Sequence, residues 1–330
     1  MDQSYRGAKV LVTGGLGFIG SHLARKLVDL GAEVTLVDSL IPEYGGNLYN
    51  VREIEDQVEI NYSDIRDPWS IRYLVQGKDF IFNLAGQVSH IDSMADPETD
   101  LNINCRSQLS LLEACRDNNP DASIVFAASR QQYGRPQSLP VTEDHPQVPV
   151  DVNGINLIAG ESYHLLYNDI HGIRATSLRL TNTYGSHLLM KHGRQGFITT
   201  FIRLAIEGEP IKVFGDGSQL RDFTYVSDVV DAFLTVAMVD EAYGQAFNVG
   251  GQEPVSLWDV AALCQELAGG NGTVGTVPWP PDRKKIDIGS IYVDHSKLSD
   301  LTGWQPKVGL REGLKETIDF YKAHAEHYWT

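Results

Sequence analysis

Cysteine is scarce in this chain of 330 residues: Cys105, Cys115 and Cys264 are odd in number and show no paired metal-ligand spacing. That excludes a disulfide framework and a cysteine-based zinc site, and the three read as buried free thiols. Long apolar runs are missing too, since none approaches the ~20 residues that cross a bilayer. Basic residues are few: 27 Lys and Arg against 43 Asp and Glu give a net charge of −16, with no long basic stretch to offset it. Such a charge repels nucleic-acid phosphates, so no nucleic-acid partner is expected. A small phosphorylated ligand is different, because a few local arginines and helix N-termini can bind it within an acidic protein. The N-terminus passes almost at once into the apolar run Val10 to Val12, without a charged leader, apolar core and cleavage site in sequence, so a soluble, cytoplasmic protein is expected. His324 and His327 are expected to share a helix face near the end with no acidic pair beside them, and read as surface residues; no metal is expected.

What is present is alternation. Short β-branched runs at Lys9 to Thr13, Val34 to Val37, Val58 to Tyr62, Phe80 to Leu84, Ser123 to Ala127 and Ala175 to Leu180 predict strands. Between them Ile19 to Leu30, Asn102 to Asn118 and Ile155 to Ile170 carry apolar residues at helical spacing. This order predicts a parallel sheet with helices on both faces. After Thr181 the pattern loosens, and Phe223 to Met238 with Ala246 to Val249 is read as a return to the first lobe. The expected division is 1–181 plus 223–252 for a dinucleotide-binding domain and 182–222 plus 253–330 for a smaller mixed α/β lobe. Trp279, Pro280 and Pro281 read as a rigid turn before Arg283, and Gly303 to Pro306 as a turn before a final helix.

The strongest motif is Thr13-Gly14-Gly15-Leu16-Gly17-Phe18-Ile19-Gly20, which follows a strand and opens a helix. Gly14 permits the tight turn, Gly17 lets the backbone approach a pyrophosphate, and Gly20 allows close helix packing, with the helix N-terminus supplying N–H donors. Asp38 closes the second strand roughly 20 residues on, where a carboxylate accepts the ribose hydroxyls of an adenosine and repels a 2′-phosphate. The cofactor indicated is NAD rather than NADP. Asp64 and Ile65 after the third strand, and Leu84, Ala85 and Gly86 after the fourth, fall where the adenine and the middle of the cofactor should lie.

These residues, with Asn104, Ser129, Tyr133-Gly134, Asn182-Thr183-Tyr184-Gly185, Gly215-Asp216-Gly217, Arg221-Asp222-Phe223-Thr224-Tyr225-Val226 and Gly303-Trp304-Gln305-Pro306, resemble the extended short-chain dehydrogenases, specifically the NAD-dependent nucleotide-sugar epimerases and dehydratases. The resemblance spans nearly the whole chain. It implies a Rossmann doubly wound α/β fold, a nucleoside diphosphate sugar as partner, and a homodimer that pairs the helices of Asn102 to Asn118 and Ile155 to Ile170. It also implies that Asn182, Arg221 and Arg283 surround the pyrophosphate of that sugar, with Phe214 and Gly215 near its base. Arginine forks match phosphate oxygens, which agrees. Lys191, His192 and Arg194 read either as a phosphate-facing cluster or as a solvated basic loop.

The chemistry departs from the resemblance. The family oxidises a sugar hydroxyl with a tyrosine base four residues before a lysine, whose charge lowers the phenol pKa. Ser129 stands at the serine position that holds the substrate oxygen, and Tyr133 at a mostly structural one. In Val152-Asn153-Gly154-Ile155-Asn156-Leu157-Ile158-Ala159-Gly160-Glu161, however, Asn153 takes the place of the tyrosine and Leu157 that of the lysine. Neither supplies the missing acid/base chemistry. His90, after the fourth strand, is either a substitute base or a loop histidine touching sugar or solvent. Arg130 and Gln131 stand where the dehydratases and decarboxylases carry acids, and Arg130 pairs either with an anionic group of the ligand or with a neighbouring acid. The expected function is an NAD-dependent epimerase or related redox isomerase with a non-standard base. Two alternatives are a catalytically impaired protein that binds NAD and a nucleotide sugar, and a nucleotide-sugar dehydratase.

Overall fold

The computed structural model describes residues 4–193 and 196–329. The first half alternates as its periodicity dictates. Strand β1 (Lys9–Thr13) leads to α1 (Phe18–Asp29), β2 (Glu33–Val37), β3 (Val58–Asn61), α2 (Pro68–Leu74) and β4 (Phe80–Asn83). There follow α3 (His90–Ala95), α4 (Pro97–Leu101), a π-turn at Asn102–Arg106, α5 (Ser107–Asn118), β5 (Ser123–Ser129), a 3₁₀ turn at Arg130–Tyr133, α6 (Val152–His171) and β6 (Ala175–Leu180). The second half contributes β7 (Asn182–Tyr184), α7 (Phe197–Glu207), β8 (Ile211–Phe214), β9 (Leu220–Arg221), β10 (Phe223–Tyr225), α8 (Val226–Val236) and β11 (Ala246–Val249). It closes with β12 (Val255–Ser256), α9 (Leu257–Ala268), β13 (Val274–Val277), α10 (Pro281–Lys285), α11 (Ser296–Thr302) and α12 (Leu310–His324).

Among the described residues a seven-stranded parallel sheet runs in the order β11-β6-β5-β4-β1-β2-β3. Successive strands run outward in opposite directions from β1 and β4, so a crevice opens at that switch point beyond their carboxyl ends. Alternation on β1 explains why both faces are covered: Val10 and Val12 pack with Leu23, Leu27 and Phe233, whereas Leu11 faces Ile71, Leu111 and Leu112. A separate apolar cluster joins α7, β8, α9 and α12 through Phe201, Val213, Val260 and Leu314.

Several boundaries differ from the sequence reading. Helix α6 begins at Val152 because the Asp151 carboxylate accepts the Gly154 amide at 2.8 Å, and it ends where Gly172 turns left-handed with φ 71°. Strand β5 reaches Ser129, two residues beyond the expected end, which sets that serine at the rim of the crevice. Asn102 to Asn118 is not one regular helix, since the π-turn interrupts it and repositions Asn104. The cysteines are free, but Cys105 is only half-buried. His324 ends α12, and His327 lies on the next turn rather than on a shared helix face. The two are not bare surface residues: Nδ1 of His324 meets the Tyr49 hydroxyl at 2.9 Å and the His327 ring stacks on Tyr49 at 3.6 Å. Among the described residues no group of three metal-ligating side chains occurs, and no helix is long and apolar enough to cross a membrane.

A buried ion pair ties α6 to β6. Arg179 donates through Nε and Nη2 to Glu161 at 3.0 and 2.6 Å, and through Nη1 to the Tyr133 hydroxyl at 2.8 Å. Replacing one partner strands the other charge. Glu161→Gln is expected to cost about 3 kcal/mol, read as a lower urea midpoint with an unchanged slope.

Candidate active site

The crevice is a cavity of about 680 Å³. It is lined by Gly14, Gly17, Phe18, Ile19, Gly20, Asp38, Asp64, Ile65, Leu84, Ala85, Gly86, Asn104 and Leu157 from the expected cofactor residues. Ser129, Asn153 and His90 line it, as do Arg130, Asn182, Phe214, Arg221 and Arg283. Gly215, Lys191 and His192 stand off the lining, Lys191 exposed as in the solvated-loop alternative, and Arg194 lies outside the described residues. The positive φ of 71° at Gly215 sets its backbone against Trp279, so that Trp279 rather than the glycine stands at the wall beside Phe214.

The first part of the cavity fits a dinucleotide. A Cβ on Gly20 would stand 2.2 Å from the Gly14 carbonyl, and Gly14 itself has φ 67° and abuts the Ala85 backbone. The N-terminus of α1 begins at Gly17 with no side-chain cap, leaving backbone N–H donors for an anion. Asp38 is aimed by two backbone donors, Leu16 N–H at 3.1 Å and Leu40 N–H at 2.9 Å. Burial raises the pKa of its carboxyl, and those two bonds oppose the rise.

Around the reacting end, three amides missed or undervalued from sequence control the geometry. Asn104 clamps Gln87, accepting its N–H at 3.1 Å and donating to its carbonyl at 2.8 Å. Asn153 is fully buried and donates to the same carbonyl at 2.7 Å and to Asp100 at 2.9 Å. Gln87 in turn accepts the Ser89 N–H on its side chain at 2.8 Å. Leu157, at the lysine position, packs against Phe126 and Ala128. Ser129 accepts the Gln131 N–H at 3.3 Å and opens the 3₁₀ turn.

His90 is the titratable group that this frame presents. Its Nδ1 bonds to Asp151, whose carboxylate is 1% exposed, and its Nε2 lies 2.9 Å from the Gln131 amide nitrogen. With the Gln131 amide nitrogen toward the ring, Nε2 accepts and Nδ1 carries the proton toward Asp151; with the amide turned over, Gln131 Oε1, which otherwise has no partner, accepts from Nε2–H. The sequence signal for Asp151 is an N-cap acid directly ahead of the helix that starts at Val152.

Cations gather nearby. Arg130 donates to Asn182 at 3.1 Å, Asn182 donates to the Asp222 carbonyl at 2.8 Å, and Arg130 Nη1 has no partner. Arg221 is 6% exposed, bonds to the carbonyls of Leu220 and Gly289, and leaves Nε unpaired. Burial, and then the charge of Arg130, brings its pKa down to about 9. Burial also pushes Asp222 up to about 6, although Arg130 opposes this.

Residues 10–250 match the profile of the NAD dependent epimerase/dehydratase family. The UDP-glucose 4-epimerase of Mycolicibacterium smegmatis is 32% identical over 315 residues, covering 95% of this chain and 98% of that protein. UDP-glucuronic acid decarboxylase 1 of Xenopus tropicalis is 30% identical over 329 residues, covering 97% of this chain and 73% of that one. The solved UDP-glucose 4-epimerase of Thermus thermophilus in complex with NAD superposes with a TM-score of 0.84 at 31% identity, over 95% of this chain and 99% of that one. The chain belongs to the NAD-dependent epimerase/dehydratase family of extended short-chain dehydrogenases, and its cofactor is NAD.

Asp38→Asn removes the charge but keeps an acceptor. We expect NAD affinity to fall about tenfold and the preference over NADP to narrow, measured by calorimetric titration with both dinucleotides.

Proposed function

We propose that this protein is an NAD-dependent nucleotide-sugar epimerase in which His90, backed by Asp151, replaces the family's tyrosine and lysine. The observation that carries the reading is the hydrogen-bonded pair itself, His90 lining the cavity with a buried carboxylate behind Nδ1. NAD, held by Gly14, Gly17, Gly20 and Asp38, would supply a reversible hydride acceptor for a sugar carbinol carbon. For His90 to act, the sugar hydroxyl must displace the Gln131 amide that donates to Nε2 at 2.9 Å; His90 then accepts the hydroxyl proton at Nε2 and returns it after the keto-sugar has presented its other face. Asp151 holds the ring in the required tautomer and stabilises the imidazolium that forms. Ser129 orients the sugar oxygen, and Arg221 and Arg283 hold the diphosphate, with Phe214 at the base. Elimination of water is disfavoured because Arg130 and Gln131 supply no acid where a dehydratase needs one.

A second reading has its own support. Asn153 spends its amide nitrogen on Gln87 and Asp100, and Leu157 is apolar, which suits a protein that binds NAD and a nucleotide sugar without turnover. Incubating the protein and NAD with UDP, dTDP, GDP and CDP sugars, followed by NMR, separates the two. Conversion of one sugar, reduced about 10²-fold or more in kcat by His90→Gln, supports the epimerase. Asp151→Asn, which can still cap α6, is expected to lower kcat with little effect on sugar affinity. Binding without conversion at high enzyme concentration would leave the second reading standing.

We also propose a homodimer through α6. Ile155, Leu166 and Ile170 lie on one helix face and are 55%, 51% and 62% exposed. Leu166→Glu should then shift sedimentation from dimer to monomer, and a wild-type protein that sediments as a monomer would refute the assembly.

A further inference from the structure

We infer that Arg130 is a specificity-determining residue that selects a nucleotide sugar bearing a carboxylate on its sugar ring, a hexuronate rather than a neutral hexose. The inference rests on the reading above that the cavity takes a nucleotide sugar. It begins with an unsatisfied charge. The one hydrogen bond Arg130 makes through its guanidinium goes to the neutral Asn182 carbonyl oxygen, and Nη1 is buried without a partner. Among the described residues no carboxylate stands in ion-pair contact with it. Asp151 is already bonded to His90 and to the Gly154 N–H, and Asp222 accepts from Val293 N–H at 3.4 Å with its other oxygen unpaired. Burial lowers the pKa of Arg130, opposed by the charges of Asp222 and Asp151, as expected for a cation that lacks its full counter-charge. A buried charge bonded only to neutral groups is costly, and an anionic ligand group removes that cost.

Position narrows which group of the ligand it meets: its bond to Asn182 and its charge on Arg221 set it on the border between the diphosphate cations and the sugar. Arg130 lies directly between Ser129, which faces the reacting oxygen in the reading above, and Gln131, whose amide touches His90. The guanidinium is therefore carried by the segment that meets the sugar ring. The diphosphate has cations of its own in Arg221 and Arg283, and the aromatic pair Phe214 and Trp279 offers a surface for the base. A planar guanidinium matches a carboxylate in a way that a hydroxymethyl group cannot exploit.

Congeners that differ only at that group test this. The full-length protein with NAD would be titrated calorimetrically with UDP, with UDP-glucose against UDP-glucuronate, and with GDP-mannose against GDP-mannuronate. In the pair that carries the accepted base, the acid should bind about tenfold or more tightly than its neutral congener. Arg130→Gln should bring that ratio to near one, and Arg130→Lys should keep part of it. Equal affinities for acid and neutral sugar in the wild-type protein would overturn the inference while leaving the nucleotide-sugar reading intact. A uniform loss in Arg130→Gln across UDP, neutral sugar and acid would also overturn it, by putting the guanidinium on the diphosphate. Failure of every nucleotide and nucleotide sugar to bind would remove the underlying reading and this inference with it. The wild-type comparison needs no variant, so misfolding of Arg130→Gln cannot obscure the result.

Discussion

The turn after β4 depends on two side-chain amides that close on one backbone unit. Asn104 both accepts from and donates to Gln87, and Asn153 adds a third bond to the same carbonyl, all of them buried. In a low-dielectric interior such bonds are strong and their loss leaves orphaned polar groups, so the turn has little freedom. The constraint passes along the chain. The Gln87 side chain binds Ser89 at both N–H and carbonyl, and the Ser89 hydroxyl caps α3, whose first residue is His90. Asp151 then meets His90 from the cap of α6, one turn of which also carries Asn153. One network thus fixes the loop and aims the histidine.

Charge in the cavity opposes charge on the protein as a whole. The chain carries −16, yet Arg130, Arg221 and Arg283 reach one crevice that also receives the uncapped N-terminus of α1. An overall negative field weakens the approach of an anionic ligand, so discrimination must come from short-range donors rather than from steering. The unpaired nitrogens of Arg130 and Arg221 are such donors. Their cost to the empty site is retained in folding and recovered on binding, which is where a buried cation contributes specificity.

The cofactor half of the site was legible because its determinants are local. The glycine motif, the strand before it and Asp38 all lie within thirty residues, and each acts through backbone geometry that residue type dictates. Ordered motifs singled out Asn182, Arg221 and Arg283, which line the same cavity although distant elements bring them together. What stayed hidden was pairing across the fold. His90 and Asp151 are 61 positions apart, and Asn153 and Gln87 are 66 apart. No spacing rule links them, and an acid ahead of a helix reads as a cap without showing which side chain it meets across the fold. Trp279 was visible only as part of a rigid turn, because its place at the cavity wall depends on how β8 and β13 pair.

The same network bears on what a tyrosine at 153 and a lysine at 157, the pair that the family resemblance implies, would meet here. Asn153 does not merely leave out a phenol; it also satisfies Asp100, a fully buried carboxylate whose other amide donor is Asn156. A tyrosine at 153 would leave Gln87 and Asp100 short of a donor, because its hydroxyl lies well beyond the amide nitrogen that now meets them. A lysine at 157 would have to be desolvated against Phe126 and Ala128. Restoring the two family residues therefore works against the surroundings that now exist, and the amide and the leucine are integrated parts of this site. In the proposed function, proton transfer at the sugar falls to the group that the network holds in place, the imidazole of His90.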